Sequence, residues 1–278
     1  MSRIAIIGLV GKSMFFDVPR FHAGGETITA KSLYEEWGGK GFNQAVAASR
    51  QDAAVSFLGA VNAADVNSLR AFCAKEGVRA TLVAKRQPTA TAAILTDGTG
   101  ETRVTVYPGA ALEPKDVDGF AGAIAMADFL LLNNEVPESV NLAAVEIAKQ
   151  YDVKVIFNPA PARPLPKAIC DAVSIFTLNE FEEESLELGA KSLELGAEVI
   201  TTLGAKGCRI GSTGEVIAAP TARAVDSTGA GDTFNAVLAV RLSEGDSIRD
   251  ACVAANAAAA QSVTVKYVMP SLPRRGRA

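Results

Sequence analysis

The chain has 278 residues, 49 % of them hydrophobic, with 27 Lys+Arg against 31 Asp+Glu for a formal net charge of -4. That apolar content is enough for a large core and excludes disordered and fibrous architectures. The slight acidity offers no polycation to a phosphate backbone or an anionic bilayer, so the expected partner is a small molecule, with no nucleic acid and no membrane. In chain order, residues 4–7 form an apolar run ending at Gly8, too short for a signal peptide and suited to a first core strand. Two stretches, 14–37 and 91–107, alternate in polarity and carry the turn signals Gly24-Gly25 and Asp97-Gly98-Thr99-Gly100. They predict extra strands outside the main sheet, forming a small β-lid. From Val55 onward, short apolar runs alternate with longer Ala/Leu-rich segments of helical period, the pattern of an α/β fold whose mostly parallel central sheet is flanked by helices. Strand 128–132, helix 139–150 and strand 153–157 make a βαβ unit; strands follow at 173–178 and 199–203, then a hairpin at 207–219 and helices at 229–243 and 247–263. With no repeat or Pro/Ser-rich linker, residues 1–278 read as one domain.

The four cysteines, Cys73, Cys170, Cys208 and Cys252, form no C-x-x-C pair and read as buried, reduced thiols of a cytoplasmic protein. Only one histidine exists, His22, so histidine-based catalysis or metal binding is not expected. No run approaches the roughly 18 apolar residues of a membrane span. The basic tail Pro273-Arg274-Arg275-Gly276-Arg277 reads as a solvated, frayed terminus.

Two segments imitate phosphate loops. Gly8-Leu9-Val10-Gly11-Lys12-Ser13 has only two residues between its glycines, whereas a Walker loop needs four so that successive N–H groups wrap a phosphate. Gly39-Lys40-Gly41-Phe42-Asn43-Gln44 lacks the third glycine of a dinucleotide fingerprint. The stronger signal is Val225-Asp226-Ser227-Thr228-Gly229-Ala230-Gly231-Asp232-Thr233-Phe234-Asn235, which enters a long apolar helix. Glycines ahead of a helix let N–H groups converge on an anion, and the helix dipole adds roughly half a positive charge there. Asp232, in the first turn, would repel a bound phosphate unless it acted on the attacking hydroxyl. Taken alone, Asp226 and Asp232 also suit a capped helix start. An ordinary aspartate titrates near about 3.9, so Asp232 is expected to be ionised at neutral pH.

This eleven-residue run resembles the signature of the ribokinase-like (PfkB-type) carbohydrate kinases. Gly38-Gly39-Lys40-Gly41-Phe42-Asn43-Gln44-Ala45-Val46-Ala47-Ala48 resembles the N-terminal signature of the same family. Gly25-Glu26-Thr27, Asn158-Pro159-Ala160-Pro161-Ala162-Arg163, Asn179-Glu180-Phe181-Glu182, Thr202-Leu203-Gly204-Ala205-Lys206-Gly207 and Asn256-Ala257-Ala258-Ala259-Ala260 follow in the family's order, and the ribokinase branch matches best. The resemblance implies a three-layer ribokinase-like fold and an ATP- and Mg²⁺-dependent kinase. It would act on a primary hydroxyl of ribose or a similar sugar. A nucleoside kinase and a non-catalytic ligand-binding protein on the same fold are the alternatives.

Carried over by position, Asp232 is the implied catalytic base, and Gly229, Ala230 and Gly231 the anion hole. Ser13, Gly39, Lys40, Asn43 and Glu135 match sugar-binding positions; Glu135 alone also reads as a surface acid. Asn179, Thr202, Gly204, Gly207 and Asn256 would border the nucleotide. Glu182 would help hold Mg²⁺ through water, although Asn179 and Glu182 also suit helix capping. Asp226, Thr228 and Ser271 fall where the family often holds K⁺. Gly38-Gly39 lies where lid meets core and can absorb the dihedral changes of closure.

The chain departs from the pattern at Gly11 and Ser13, where ribokinases carry an Asn and a sugar-binding Asp. A serine offers one hydroxyl where a carboxylate accepts two charge-assisted bonds, which points away from ribose itself; Lys12 between them could face an anionic substituent. Phe15, Phe16 and Phe42 keep open an aromatic face for a nucleobase. The match ends shortly after Ser271-Leu272-Pro273, which predicts an uncovered core face, and the apolar lid strands predict a homodimer.

Overall fold

The computed structural model describes residues 1–99, 101–186 and 196–276; Gly100 of the second lid turn and Arg277 of the tail lie outside them. The first elements are β1 (Arg3–Ile7), β2 (Gly11–Asp17), β3 (Ser32–Gly38), α1 (Lys40–Arg50), β4 (Ala54–Asn62), α2 (Val66–Lys75), β5 (Val78–Lys85), β6 (Ala90–Thr96) and β7 (Thr102–Tyr107). There follow α3 (Pro114–Asp118), α4 (Ala121–Ala125), β8 (Phe129–Asn133), α5 (Glu138–Gln150), β9 (Lys154–Asn158), α6 (Lys167–Cys170), β10 (Ile175–Asn179) and α7 (Glu180–Leu186). Strands β11 (Glu198–Thr202), β12 (Cys208–Ile210) and β13 (Val216–Ile217) precede the helices α8 (Ala230–Ser243), α9 (Ile248–Ser262) and α10 (Val268–Ser271).

The main sheet has nine strands in the order β13-β12-β11-β10-β9-β8-β1-β4-β5, parallel throughout except for the hairpin β12-β13 and its junction with β11. Ile4 and Ile6 of β1 enter one core with Phe42, Phe57 and Phe234, while Ala5 and Ile7 enter the other with Phe157 and Phe176. The period of two divides one apolar run between both faces of a covered sheet, as a doubly buried strand requires. Strand order runs outward from β1 in both directions, to β4 on one side and β8 on the other. In open α/β sheets the ligand crevice lies outside the carboxyl ends of the strands at such a reversal.

The lid is a four-stranded sheet of order β3-β2-β6-β7. It starts at Gly11, earlier than the alternation at 14–37 suggests, because Gly11, Lys12 and Ser13 pair with Gly38, Trp37 and Glu36 on one side and Ala90, Thr91 and Ala92 on the other. The Walker-like segment is therefore lid strand.

The basic tail is anchored, contrary to the frayed reading. Arg274 meets Glu76 at 3.0 Å, Arg275 pairs with Glu244, and the Arg275 N–H donates to Arg50 O at 2.9 Å. Arg50 donates to Met269 O and Leu272 O at 2.6 and 2.9 Å, which draws Val268, Met269 and Leu272 into the core. Within 268–273 every residue but Pro270 is buried, so this end of the described chain packs onto the core.

Candidate active site

Two helix starts converge on the crevice. Both α1 and α8 follow a glycine with positive φ, Gly39 at 103° and Gly229 at 80°. A Cβ on Gly229 would lie 2.6 Å from Val268 Cγ1, so only glycine fits this turn. The body of α8 from Thr233 to Val240 is buried and mostly apolar on every face, as befits a core helix. Its first turn carries Asp232 against α1, where Asn43 Nδ2 donates to Oδ2 at 2.8 Å and Gln44 Nε2 donates to Oδ1 at 3.1 Å. Burial lifts the Asp232 carboxyl above its ordinary value, opposed by Lys40 and the two amides. The expectation of an ordinary aspartate is corrected in that direction, because the Asp232 side chain is buried against α1 even though Gly231 beside it is exposed.

Glu135, in the loop after β8, accepts the Lys40 backbone N–H at 2.6 Å. Burial pushes it up to about 7, so it is no surface acid. Burial alone would lower the Lys40 amine, but the carboxylates of Asp232, Glu135 and Glu182 together raise it. A cation thus sits among three acids, two of which carry raised pKa values.

Two cavities meet at this cluster. One, of about 370 Å³, is lined by Asn158, Asn179, Glu182, Thr202, Ser227 and Gly231. The other, of about 520 Å³, opens between lid and sheet, with Ser13, Gly39, Asn43, Asn134 and Glu135 on its walls and Phe15, Ile94, Val104 and Val106 toward the lid. Lys40, Thr228, Gly229 and Asp232 line both. Two chambers joined at a carboxylate and a glycine-rich helix start suit a donor and an acceptor of an anionic group.

The sequence model for pfkB family carbohydrate kinases matches residues 1–275. The chain belongs to that family. The kinase is 34 % identical to the ribokinase of Haemophilus influenzae over 292 aligned residues, which cover 98 % of this chain and 95 % of that one. Among solved structures it is similar to ribokinase from Thermotoga maritima, with a TM-score of 0.89 at 32 % identity over 99 % of this chain and 97 % of that one. It is also similar to the Arabidopsis thaliana ribokinase complexed with ribose and ATP, with a TM-score of 0.88 at 29 % identity over 99 % of this chain and 97 % of that one. The kinase is a ribokinase-like phosphotransferase.

Of the other residues singled out in the sequence, Asn179 and Glu182 form a reciprocal capping box: Glu182 N–H donates to Asn179 Oδ1 at 2.8 Å and Asn179 N–H to Glu182 Oε2 at 3.0 Å. They cap α7 and line the smaller cavity at once. Asp226 accepts the N–H groups of Thr228 at 2.9 Å and Tyr267 at 3.0 Å, and Ser271 Oγ donates to Val268 O at 2.8 Å, so the K⁺ candidates share one strip beside Gly229. Thr202 lines the smaller cavity, but Gly204, Gly207 and Asn256 line neither cavity, and the Asn256 amide is buried against Ile217 O at 2.9 Å. Lys12 lines the larger cavity while paired with Asp65 at 2.7 Å. Phe15 faces that cavity; Phe42 is fully buried against Phe57 and Phe72 and offers no face to a ligand.

Sequence reasoning gave no role to Gln44, Asn134 and Asn158, although Gln44 and Asn158 stand in the segments that carry the family resemblance; Gln44 directly follows Asn43 and Asn134 directly precedes Glu135. The Oδ1 atoms of Asn43 and Asn134 are buried without a hydrogen-bond donor among the described residues. Asn43 and Asn134 line the larger cavity, and amide side chains in such a wall suit a ligand rich in hydroxyl groups.

Proposed function

We propose that this kinase transfers the γ-phosphoryl group of ATP to a primary hydroxyl of a pentose or similar sugar. The observation that carries the reading is the meeting of the two cavities at Asp232, Lys40 and Gly229. The smaller takes the triphosphate, with Thr202 on its wall and Gly229 and Gly231 presenting helix N-terminal N–H groups to the γ-phosphate, while the Ala230 N–H, which the resemblance adds to the anion hole, donates to Ser227 O at 3.2 Å and closes the turn. Gly204, Gly207 and Asn256 belong to the nucleotide side by resemblance alone. The larger takes the sugar, whose hydroxyls would be met by Asn43, Asn134 and Glu135, with Ser13, Gly39 and Lys40 alongside.

In the reaction the sugar oxygen forms a new O–P bond as the β–γ bridging P–O bond breaks and ADP leaves. Asp232 takes the hydroxyl proton, and its raised pKa suits it to that task better than an ordinary carboxylate. Asn43 and Gln44 orient the carboxylate. Lys40, held protonated by three acids, faces both chambers and can balance negative charge moving between them. Glu182 and Asn179, polar and on the cavity wall, would hold Mg²⁺ through water; when bound, the ion screens phosphate charge. A K⁺ ion would rest on the strip of Asp226, Thr228 and Ser271.

A nucleoside acceptor is the second reading, favoured by the apolar lid wall of Phe15, Ile94, Val104 and Val106, which gives a base a stacking and packing surface. Strand β7 is exposed along its whole length at a lid edge, which supports a homodimer through the lid. The buried, unbridged Cys73, Cys208 and Cys252 support a reducing, cytoplasmic setting.

The test is ADP release from Mg-ATP and K⁺ across ribose, other pentoses, hexoses, phosphosugars and nucleosides, with Asp232→Asn in parallel. Turnover on one class, reduced about 10² to 10⁴-fold in the variant while ADP still binds, is expected. Equal turnover by Asp232→Asn would remove Asp232 as the base, and silence of the wild type with ATP bound would favour a non-catalytic ligand-binding protein.

A further inference from the structure

Tyr267 precedes α10 with φ 68° and ψ 162°, a conformation essentially closed to residues with a side chain. Such strain persists only when the surroundings impose it, and here the surroundings are the lid. The Tyr267 ring stacks on Tyr34 of β3 with centroids 3.9 Å apart and planes at 17°, and meets the edge of Phe15 of β2 at 5.1 Å. On either side of it, Lys266 Nζ lies 2.9 Å from both Asp17 oxygens, and Glu36 accepts the N–H groups of Val268 and Met269 at 2.9 Å each. Four lid residues therefore grip four consecutive residues of the core.

Two of these four, Tyr267 and Val268, also hold the glycine-rich turn. Tyr267 N–H donates to Asp226 Oδ2, whose other oxygen accepts Thr228 N–H, and Val268 closes the space beside Gly229. We propose that Tyr267 is a positioning residue, the latch through which the docked lid holds the Thr228–Gly229 turn in place for phosphoryl transfer. The proposal rests on the phosphotransfer reading above. Acceptor binding beneath the lid thereby organises the turn that receives the γ-phosphate, so ATP is directed to the sugar in preference to water.

The test compares the full-length wild type with Tyr34→Ala, Tyr267→Gly and Tyr267→Phe. ADP release from Mg-ATP is measured without acceptor and with D-ribose, D-fructose or inosine, whichever turns over fastest. The readout is the ratio of the two rates, which a loss of folded enzyme leaves unchanged. An aromatic pair of this kind predicts a fall of roughly two- to tenfold in the ratio for Tyr34→Ala and Tyr267→Gly. Tyr267→Phe keeps the ring and is expected to keep the ratio. Wild-type ratios in both disruptive variants would overturn the proposal. If the wild type itself responds to no acceptor, the phosphotransfer reading fails in that column alone, and the latch is judged by Trp37, the one tryptophan, which lies on β3 beside Glu36. Mg-ADP is then expected to shift Trp37 fluorescence in the wild type and not in Tyr267→Gly, with dialysis confirming bound ADP; equal shifts would overturn the latch.

Discussion

Glu135→Gln isolates the cost of holding a carboxylate between the two cavities. Burial raises its pKa from an ordinary 4.5 to about 7; the Lys40 charge and the Lys40 N–H bond at 2.6 Å oppose this only in part, and the Asp232 charge adds to it. Below 4.5 the group is protonated in both the folded and the unfolded chain. Between 4.5 and about 7 the folded protein keeps a proton that the unfolded chain releases, so stability falls as pH rises, and above about 7 the loss is complete. At about 1.36 kcal/mol per pH unit the gap amounts to roughly 3 kcal/mol. Glutamine imitates the neutral acid and keeps an oxygen for the Lys40 N–H. Urea unfolding at pH 5 and pH 8.5 is therefore expected to give similar stabilities near the lower pH and a variant more stable by up to roughly 3 kcal/mol at the higher. The same offset at both pH values would refute the reasoning. A functional counterpart follows: ionised Glu135 accepts stronger, charge-assisted bonds from sugar hydroxyls than the neutral acid, so the acceptor KM is expected to fall as pH rises through about 7 in the wild type and to lose that limb in Glu135→Gln.

Arg50 joins both Glu76 oxygens, at 2.8 and 2.9 Å, to the carbonyls of the tail, and the pair is 10 % and 5 % exposed. Arg50→Ala strands a buried carboxylate and is expected to cost about 3–5 kcal/mol in urea unfolding; a loss under about 1 kcal/mol would mean that Arg274 alone satisfies Glu76. Arg50 also holds the Glu76 carboxyl below its ordinary value, a stabilisation present at neutral pH and lost as pH falls through that lowered value. Gly229→Ala forces a Cβ to 2.6 Å from Val268 at a positive φ; a lower Tm, reflecting about 1–3 kcal/mol, is expected together with a lower kcat, and an unchanged kcat would exclude the turn from the reaction. Lys12→Ala is expected to weaken a phosphosugar acceptor selectively, since Lys12 lines the larger cavity; an equal loss for neutral sugars would assign Lys12 to its Asp65 pair alone.

The main sheet was legible because its physics is local. β1 is an uninterrupted apolar run, β8 to β9 is a strand, an amphipathic helix and a strand, and Ser247 announces α9 by capping Asp250 N–H at 3.1 Å. The lid edge was misplaced by three residues because Gly11 to Ser13 carry no alternation of their own; they become strand only through partners on both sides, Gly38 to Glu36 and Ala90 to Ala92. The tail was misread for a related reason. Its arginines look like solvated charge until the fold brings Glu76 and Glu244 beside them, and no sequence spacing encodes a pairing across 198 residues.

The candidate site divides along the same line. Gly39, Gly229 and Asp232 could be found from sequence because each sits where a loop becomes a helix, and helix starts impose their own residue preferences. What could not be read was which of two jobs a residue does. Asn43 lines the larger cavity while one of its two amide N–H groups donates to Asp232. Glu182 caps Asn179 while it faces the smaller cavity. Burial is the quantity missing from the sequence: it turns an ordinary aspartate into one of raised pKa, and a post-strand acid into one near 7. Asn43, Gln44 and Lys40, which offset that burial, all lie on the first turns of α1, the helix that begins where the lid ends. Lid and base therefore meet in one short segment, residues 38–44, and a substitution there should disturb acceptor specificity and proton transfer together.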